Sequence, residues 1–199
     1  MRSLRAVALF TALSLATPFA FAAVDAESFV KSKQTELSRM VKNAKGPADD
    51  RKVEDAFDRV LDYDTLARES LKEFWAERTP EERAEFQAVL TKLVRAAYKK
   101  NLKRIGDYDV EYKGETSADS SQIVRTVAKN RRGASREEPV SIDYVVHASN
   151  GSYRIVDIVT EGSSLVSNYR SQFRRIIKKQ GFPELIRRMK TKLERGDVE

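Results

Sequence analysis

The sequence has no cysteine and one histidine, His147. Without cysteine there is no disulfide framework and no thiolate for a structural zinc, so hydrophobic packing has to carry the stability. A lone histidine without clustered carboxylates at ligand spacing argues against a metal centre. It also leaves a single residue to serve as base in any Ser-His-Asp triad. A glycine-rich phosphate loop and a Gly-x-Ser-x-Gly elbow are both missing. Long apolar runs are scarce as well, and after the first residues none is long enough to span a bilayer.

What is present begins with an address. Arg2 and Arg5 form a positive start, and residues 6–16 are apolar except for Thr11 and Ser14. Pro18 breaks the run, and Ala20-Phe21-Ala22 has the small-x-small pattern of a cleavage site. Residues 1–22 therefore read as a cleaved signal peptide and 23–199 as a single domain, exported and soluble in a bacterial periplasm. No cysteine follows the signal to carry a lipid anchor.

From residue 26 to 44 the apolar spacing predicts a helix, which Gly46-Pro47 stops. Asp49 or Asp50 is placed to cap a second helix carrying Val53, Ala56, Phe57, Val60 and Leu61. A short third helix holds Leu66, Ala67 and Leu71 and extends toward Trp75. Thr79-Pro80-Glu81-Glu82 is a helix start with a reciprocal capping box, and the helix it opens runs to about Ile105. From Tyr108 the period changes to two. Strands are expected around Tyr108–Lys113, Ile123–Ala128, Val140–Val146 and Tyr153–Thr160, with Asn150-Gly151 as a hairpin turn. After Glu161-Gly162 the last strand runs into a helix capped by Ser163 or Ser164, with Leu165, Tyr169, Phe173, Ile176 and Ile177 on one stripe. Gly181 ends that helix, and Pro183 opens another with Leu185, Ile186 and Met189. The order gives an α+β fold, a four-stranded antiparallel meander with helices before and after it.

Formal net charge is +7, and its distribution is uneven. Residues 170–195 hold ten Lys and Arg against Glu184 and Glu194, so the C-terminal helices should present a basic face. Export and the lack of interleaved aromatics argue against nucleic acid. A solvated helix face, or contact with an acidic partner or anionic headgroups, accounts for the charge. Asp143, Asp157 and Glu161 are the available acids for catalysis. A small isomerase or hydrolase using Asp157 as base lacks an oxyanion partner. Asp157 is more simply a partner for a backbone amide or for Arg170.

Linked motifs in order carry a resemblance. They are Leu61-Asp62-Tyr63 with Leu66-Ala67, then Trp75, Thr79-Pro80-Glu81-Glu82-Arg83 and Phe86. Tyr98, Asp143-Tyr144, Tyr153-Arg154-Ile155, Asp157, Glu161-Gly162 and Ser164-Leu165-Val166 follow. Asn168-Tyr169-Arg170, Phe173, Ile176-Ile177, Gly181-Phe182 and Leu185-Ile186 complete the series. Over nearly the whole mature chain the sequence resembles the MlaC, or toluene-tolerance auxiliary, family of periplasmic phospholipid carriers. Two positions depart from the family pattern: Lys72 stands where glycine is usual, and Ser163 where an apolar residue is usual.

The resemblance implies an NTF2-like curved sheet whose helices enclose a deep apolar pocket, with bound phospholipid as cargo, no other cofactor and no enzymatic activity. It implies shuttling between an outer-membrane complex of the MlaA lipoprotein with a porin and the inner-membrane MlaFEDB transporter, met through MlaD. That traffic would maintain outer-membrane lipid asymmetry, with the carrier a monomer. Expected lining residues are Leu90, Leu93, Val94 and Tyr98 from the long helix and Val127, Ile142, Tyr144, Val156 and Ile158 from the sheet. Ser163, Leu165, Val166, Tyr169 and Phe173 join them from the strand-to-helix junction. Arg170, Arg174 and Arg175 are expected to contact headgroup or partner. A carrier of another amphiphile, such as a hopanoid, is the alternative within the same class.

Overall fold

A computed structural model describes residues 25–105, 108–131 and 138–197. The signal-peptide reading of residues 1–22 and most of the polar loop after Asn130 lie outside the described residues. Four helices come first: α1 (Ala26–Asn43), α2 (Pro47–Asp58), α3 (Tyr63–Leu71), extended by a 3-10 turn (Lys72–Phe74), and α4 (Pro80–Ile105). Five strands follow: β1 (Tyr108–Ala118), β2 (Ser121–Asn130), β3 (Val140–Ser149), β4 (Ser152–Thr160) and β5 (Ser163–Ser164). Helices α5 (Leu165–Gln180) and α6 (Phe182–Arg195) end the chain.

Local chemistry explains the boundaries. Thr79 and Glu82 form the reciprocal box at the head of α4, with Glu82 N donating to Thr79 Oγ1 at 3.2 Å and Thr79 N to Glu82 Oε2 at 3.0 Å. Asp62 caps α3 by accepting from Thr65 N at 3.0 Å, and Ser164 caps α5 by accepting from Ser167 N at 3.0 Å. The start of α2 differs from expectation. Pro47 already occupies the first turn with Gly46 as its cap, and Asp49 accepts from Lys45 N at 3.2 Å instead of capping forward. Gly46 has no side chain to accept from the first-turn amides, and those of Asp49 and Asp50 donate to its carbonyl at 3.0 Å instead. Trp75 falls beyond α3, after the 3-10 turn.

All five strands pair antiparallel in sequence order, so the expected four-stranded sheet has a fifth member. Glu161 and Gly162 take φ values of 50° and 73° and reverse the chain, pairing Ser163 with Thr160 and Ser164 with Val159. Two consecutive positive φ values make this the same kind of hairpin turn as Asn150-Gly151. Glu161 is fixed there because its amide donates to Ser141 O at 3.0 Å and its carboxylate accepts from Ser141 N. The outer edge of β4 is also used upstream. Asp62 N donates to Ile155 O at 2.9 Å and Ile155 N to Val60 O at 2.8 Å, a parallel bridge from the α2–α3 link. A bulge at Val156 lets Ile155 and Val156 both be buried.

One face of the sheet is covered. Registers place Val124, Thr126 and Ala128 of β2 opposite Tyr144, Ile142 and Val140 of β3, with Tyr144 opposite Ile158 of β4. Helix α1 lies against β1, β2 and β4, while α3 and α5 approach β4. Glu27 N donates to Glu115 Oε2 at 2.8 Å, the Tyr112 hydroxyl bonds Gln34, and the Phe29 and Tyr153 rings stand 5.9 Å apart. The long helix α4 packs chiefly on α6, α3 and α1 instead of on the sheet. Phe86, fully buried, meets Phe173 edge-on at 5.5 Å and Phe182 at 6.3 Å, joining α4, α5 and α6.

Candidate functional site

The covered face of the sheet has two unlike halves. Toward the β1–β2 and β3–β4 turns, Val124 and Val146 are fully buried, with Ile155 beside them and Phe29 and Val30 of α1 in the same core. Toward the opposite end, Ile142, Tyr144 and Ile158 are only half-buried, although apolar and central to the sheet. Continuous packing would cover side chains at the middle of a sheet. Thr126 and Ala128 beside them on the same face are buried, while these three keep partial exposure.

Three phenols from three elements converge on that part of the molecule. Burial pushes the Tyr144 hydroxyl of β3 up to about 12. Tyr98 of α4 is raised by burial and then by the neighbouring Tyr144, and Tyr112 of β1 by burial, then by Tyr144 and Glu27. Tyr144 keeps partial exposure while the surrounding protein opposes its ionisation. Tyr98 stacks on Phe57 with centroids 3.5 Å apart, which fixes its ring. Among the described residues neither the Tyr98 nor the Tyr144 hydroxyl has a hydrogen-bond partner, while that of Tyr112 is committed to Gln34. Tyr98 and Phe57 also line a pocket of about 320 Å³ between α2 and α4, whose rim carries Asp50, Glu54, Arg95 and Lys99.

The expected lining residues do not all meet in one place. Tyr98, Tyr144 and Ile158 pack against the same core, and Ile142 is half-buried, with Val94 buried one turn before Tyr98. Leu90 is fully buried in the helical core. Leu93, Tyr169 and Phe173 line a separate groove of about 490 Å³ between α5 and α6. Val166 is buried at the head of α5, and Leu165 beside it is half-buried against the core. Ser163 is exposed in β5, where its hydroxyl accepts from Asn168 Nδ2 at 2.9 Å. Val127 alternates with Arg125 and Lys129 and so faces away from Val124, Thr126 and Ala128, on the other side of the sheet. Sequence reasoning passed over Tyr112, whose period-two spacing with Tyr108 and Val110 was the available signal.

The charged residues singled out in the sequence are largely structural. Asp157 accepts from Ile158 N at 2.8 Å, from Val166 N at 3.1 Å and from Ser164 Oγ at 2.5 Å, so it fastens β4 to the start of α5. Arg170 donates to Glu69 O at 2.8 Å and to its carboxylate at 3.2 Å, and Arg174 pairs with Glu73 at 3.4 Å, both tying α5 to α3 and its 3-10 extension. Arg175 is exposed. His147 Nε2 lies 2.8 Å from Ser121 Oγ across the β2–β3 pair, and among the described residues no carboxylate orients its other nitrogen. No group of His, Asp and Glu among the described residues could hold a metal ion.

Comparison with known proteins places this geometry. The family model described as MlaC protein matches residues 28–191. A solved structure of a phospholipid-binding protein from Ralstonia solanacearum, determined in complex with a phospholipid, superposes with a TM-score of 0.76 at 24% identity. That likeness covers 87% of this chain and 99% of the other. No curated protein matches.

Proposed function

Because the chain belongs to the MlaC protein family, we propose that it is a phospholipid carrier holding acyl chains between α4 and the half-buried part of the sheet. The observation that carries the reading is the exposure left on Ile142, Tyr144 and Ile158 beneath helices, beside phenols that the protein strongly desolvates. A phospholipid bound in the Ralstonia solanacearum neighbour supports it. In this reading the sheet is the curved sheet of an NTF2-like fold and its half-buried part faces an enclosed pocket. Tyr98, Tyr144 and Leu165 line it, with the lipid headgroup at its mouth.

The energetics define what such a carrier must do. Exposing an acyl methylene costs about 0.8 kcal/mol, so two ordinary chains cost on the order of 20 kcal/mol. Free lipid therefore does not cross an aqueous gap at a useful rate, and a carrier has to offer a lining as apolar as the membrane it left. For the same reason release is a direct hand-off. We assign the gap to the periplasm, reached through a cleaved signal peptide, and the hand-off partners to the MlaA–porin complex and MlaFEDB through MlaD. The outcome is maintenance of outer-membrane lipid asymmetry. No bond is made or broken, which suits a region where Asp157 is occupied by three hydrogen bonds.

Native mass spectrometry of the purified protein, with lipid extraction of the same sample, tests the reading. Phospholipid at a defined stoichiometry is expected, and an extracted polycyclic amphiphile would replace phospholipid as the cargo. Leu165→Glu is expected to abolish lipid co-purification while near-ultraviolet circular dichroism stays native, because Leu165 is only half-buried. Val166→Glu, which puts a charge at a fully buried position, is expected to unfold the protein instead. Normal lipid content in folded Leu165→Glu removes that residue from the pocket.

A further inference from the structure

The groove between α5 and α6 is separate from the cargo site proposed between α4 and the sheet. Its floor is apolar, formed by Leu93, Tyr169, Phe173, Ile176, Leu185 and Met189. On the α6 bank stand Arg187, Arg188, Lys192 and Arg195, with one acid, Asp197, at the end of the same lining. Gln172 and Ile176 mark the α5 bank, and Arg175 and Lys179, three residues on from them, are exposed on α5 outside that lining. The cations differ in how they are held. Glu184 engages both Arg187 and Arg188 at 2.7 Å, and those hydrogen bonds pull its carboxyl down to about 2. Arg175, Lys179, Lys192 and Arg195 are exposed, and among the described residues none has a carboxylate partner.

We propose that this face docks the protein on an anionic lipid bilayer. Four long, solvated, unpartnered cations flank the groove without any neighbour that fixes their geometry. Such an array recognises charge density rather than a shape, and suits mobile lipid headgroups better than a rigid acidic protein surface. The apolar floor is recessed between the banks, so contact is electrostatic, without a protruding hydrophobic wedge. The inference rests on the carrier reading, which gives the protein a reason to meet a membrane, and it assigns that meeting to a surface distinct from the cargo site.

Sedimentation with vesicles tests it, comparing phosphatidylcholine alone with phosphatidylcholine containing phosphatidylglycerol. Binding is expected only to the anionic vesicles, and raising salt to about 1 M, where the Debye length falls to about 3 Å, should release it. The quadruple variant R175Q/K179Q/K192Q/R195Q should bind at least about 100-fold more weakly, since each cation near such a surface is worth about fivefold. A control, R39Q/K42Q/K45Q/R51Q, removes four exposed cations from α1, α2 and their link and should bind as the parent does. Equal binding to both vesicle types, equal loss in the control, or no binding to either overturns the proposal, and the last would leave an acidic protein as the partner. Salt release of the unaltered protein needs no variant to fold. Lipid content measured on the same samples separates the two readings. A protein that binds vesicles yet neither carries phospholipid nor takes it up from them sinks the carrier, and a loaded protein that ignores them sinks the docking face.

Discussion

Lys72 has φ 48° and ψ −111°, a backbone conformation that side chains with a Cβ rarely adopt. It ends α3 by turning the chain into the 3-10 segment, and the family's usual glycine at this position is the residue that can do so without strain. Its side chain recovers little, since the pair with Glu69 at 2.8 Å is largely solvated. Relief of strain worth about 1–3 kcal/mol outweighs the added flexibility of the unfolded chain, about 0.4–1 kcal/mol. Lys72→Gly is therefore expected to stabilise the protein by about 1 kcal/mol, seen as a higher urea midpoint at unchanged slope. A lower midpoint would mean that the lysine backbone is relaxed. Asp157→Ala is expected to cost about 2–3 kcal/mol, because three donors lose their acceptor at one part-buried junction. An unaltered urea midpoint in that variant would free Asp157 from its structural role.

Helix ends and stripes were legible where side chains close the hydrogen bonds themselves, as at Thr79–Glu82 and Ser164. Those elements depend on neighbours within four residues, which is the range a sequence displays directly. β5 was illegible because its two residues exist as a strand only through the turn at Glu161-Gly162 and the clamp of Glu161 on Ser141. Val127 shows the other limit. Two buried-looking neighbours in one strand differ by a register step, and that step is fixed by β3, not by β2. The family motifs are also instructive, since many hold elements together. Arg83 donates to Trp75 O at 2.9 Å and lies 5.4 Å over the Trp75 ring. Tyr63 donates at 2.8 Å to Asp58, which also binds Arg95 of α4. At the joint of α4, α5 and α6, Phe86→Ala is expected to cost about 3–5 kcal/mol, with urea denaturation as the measure. A cost under about 1 kcal/mol would show that the three helices collapse onto the vacancy.

At the scale of the whole molecule, the desolvated phenols couple stability to alkaline pH. Burial favours their neutral form, so the native state holds its protons more tightly than an unfolded chain, whose tyrosines titrate near 10.0. The stabilisation is complete below pH 10 and is lost as pH rises through the folded value, which for Tyr144 means between about 10 and 12. Urea titrations from pH 9 to 12 are expected to show that decline, and Tyr144→Phe should make it shallower. An identical slope in the variant would place the Tyr144 phenol in water. The doubly engaged margin of β4 has one more consequence. Along that margin Val60–Asp62 occupies one stretch and β5 another, so no bare amide row is left for a foreign strand to join. Among the described strands only β1 offers an open border, and there Asp109, Glu111 and Lys113 put a charge at every second position. That arrangement keeps the sheet from pairing edge to edge with a second copy and growing into fibres.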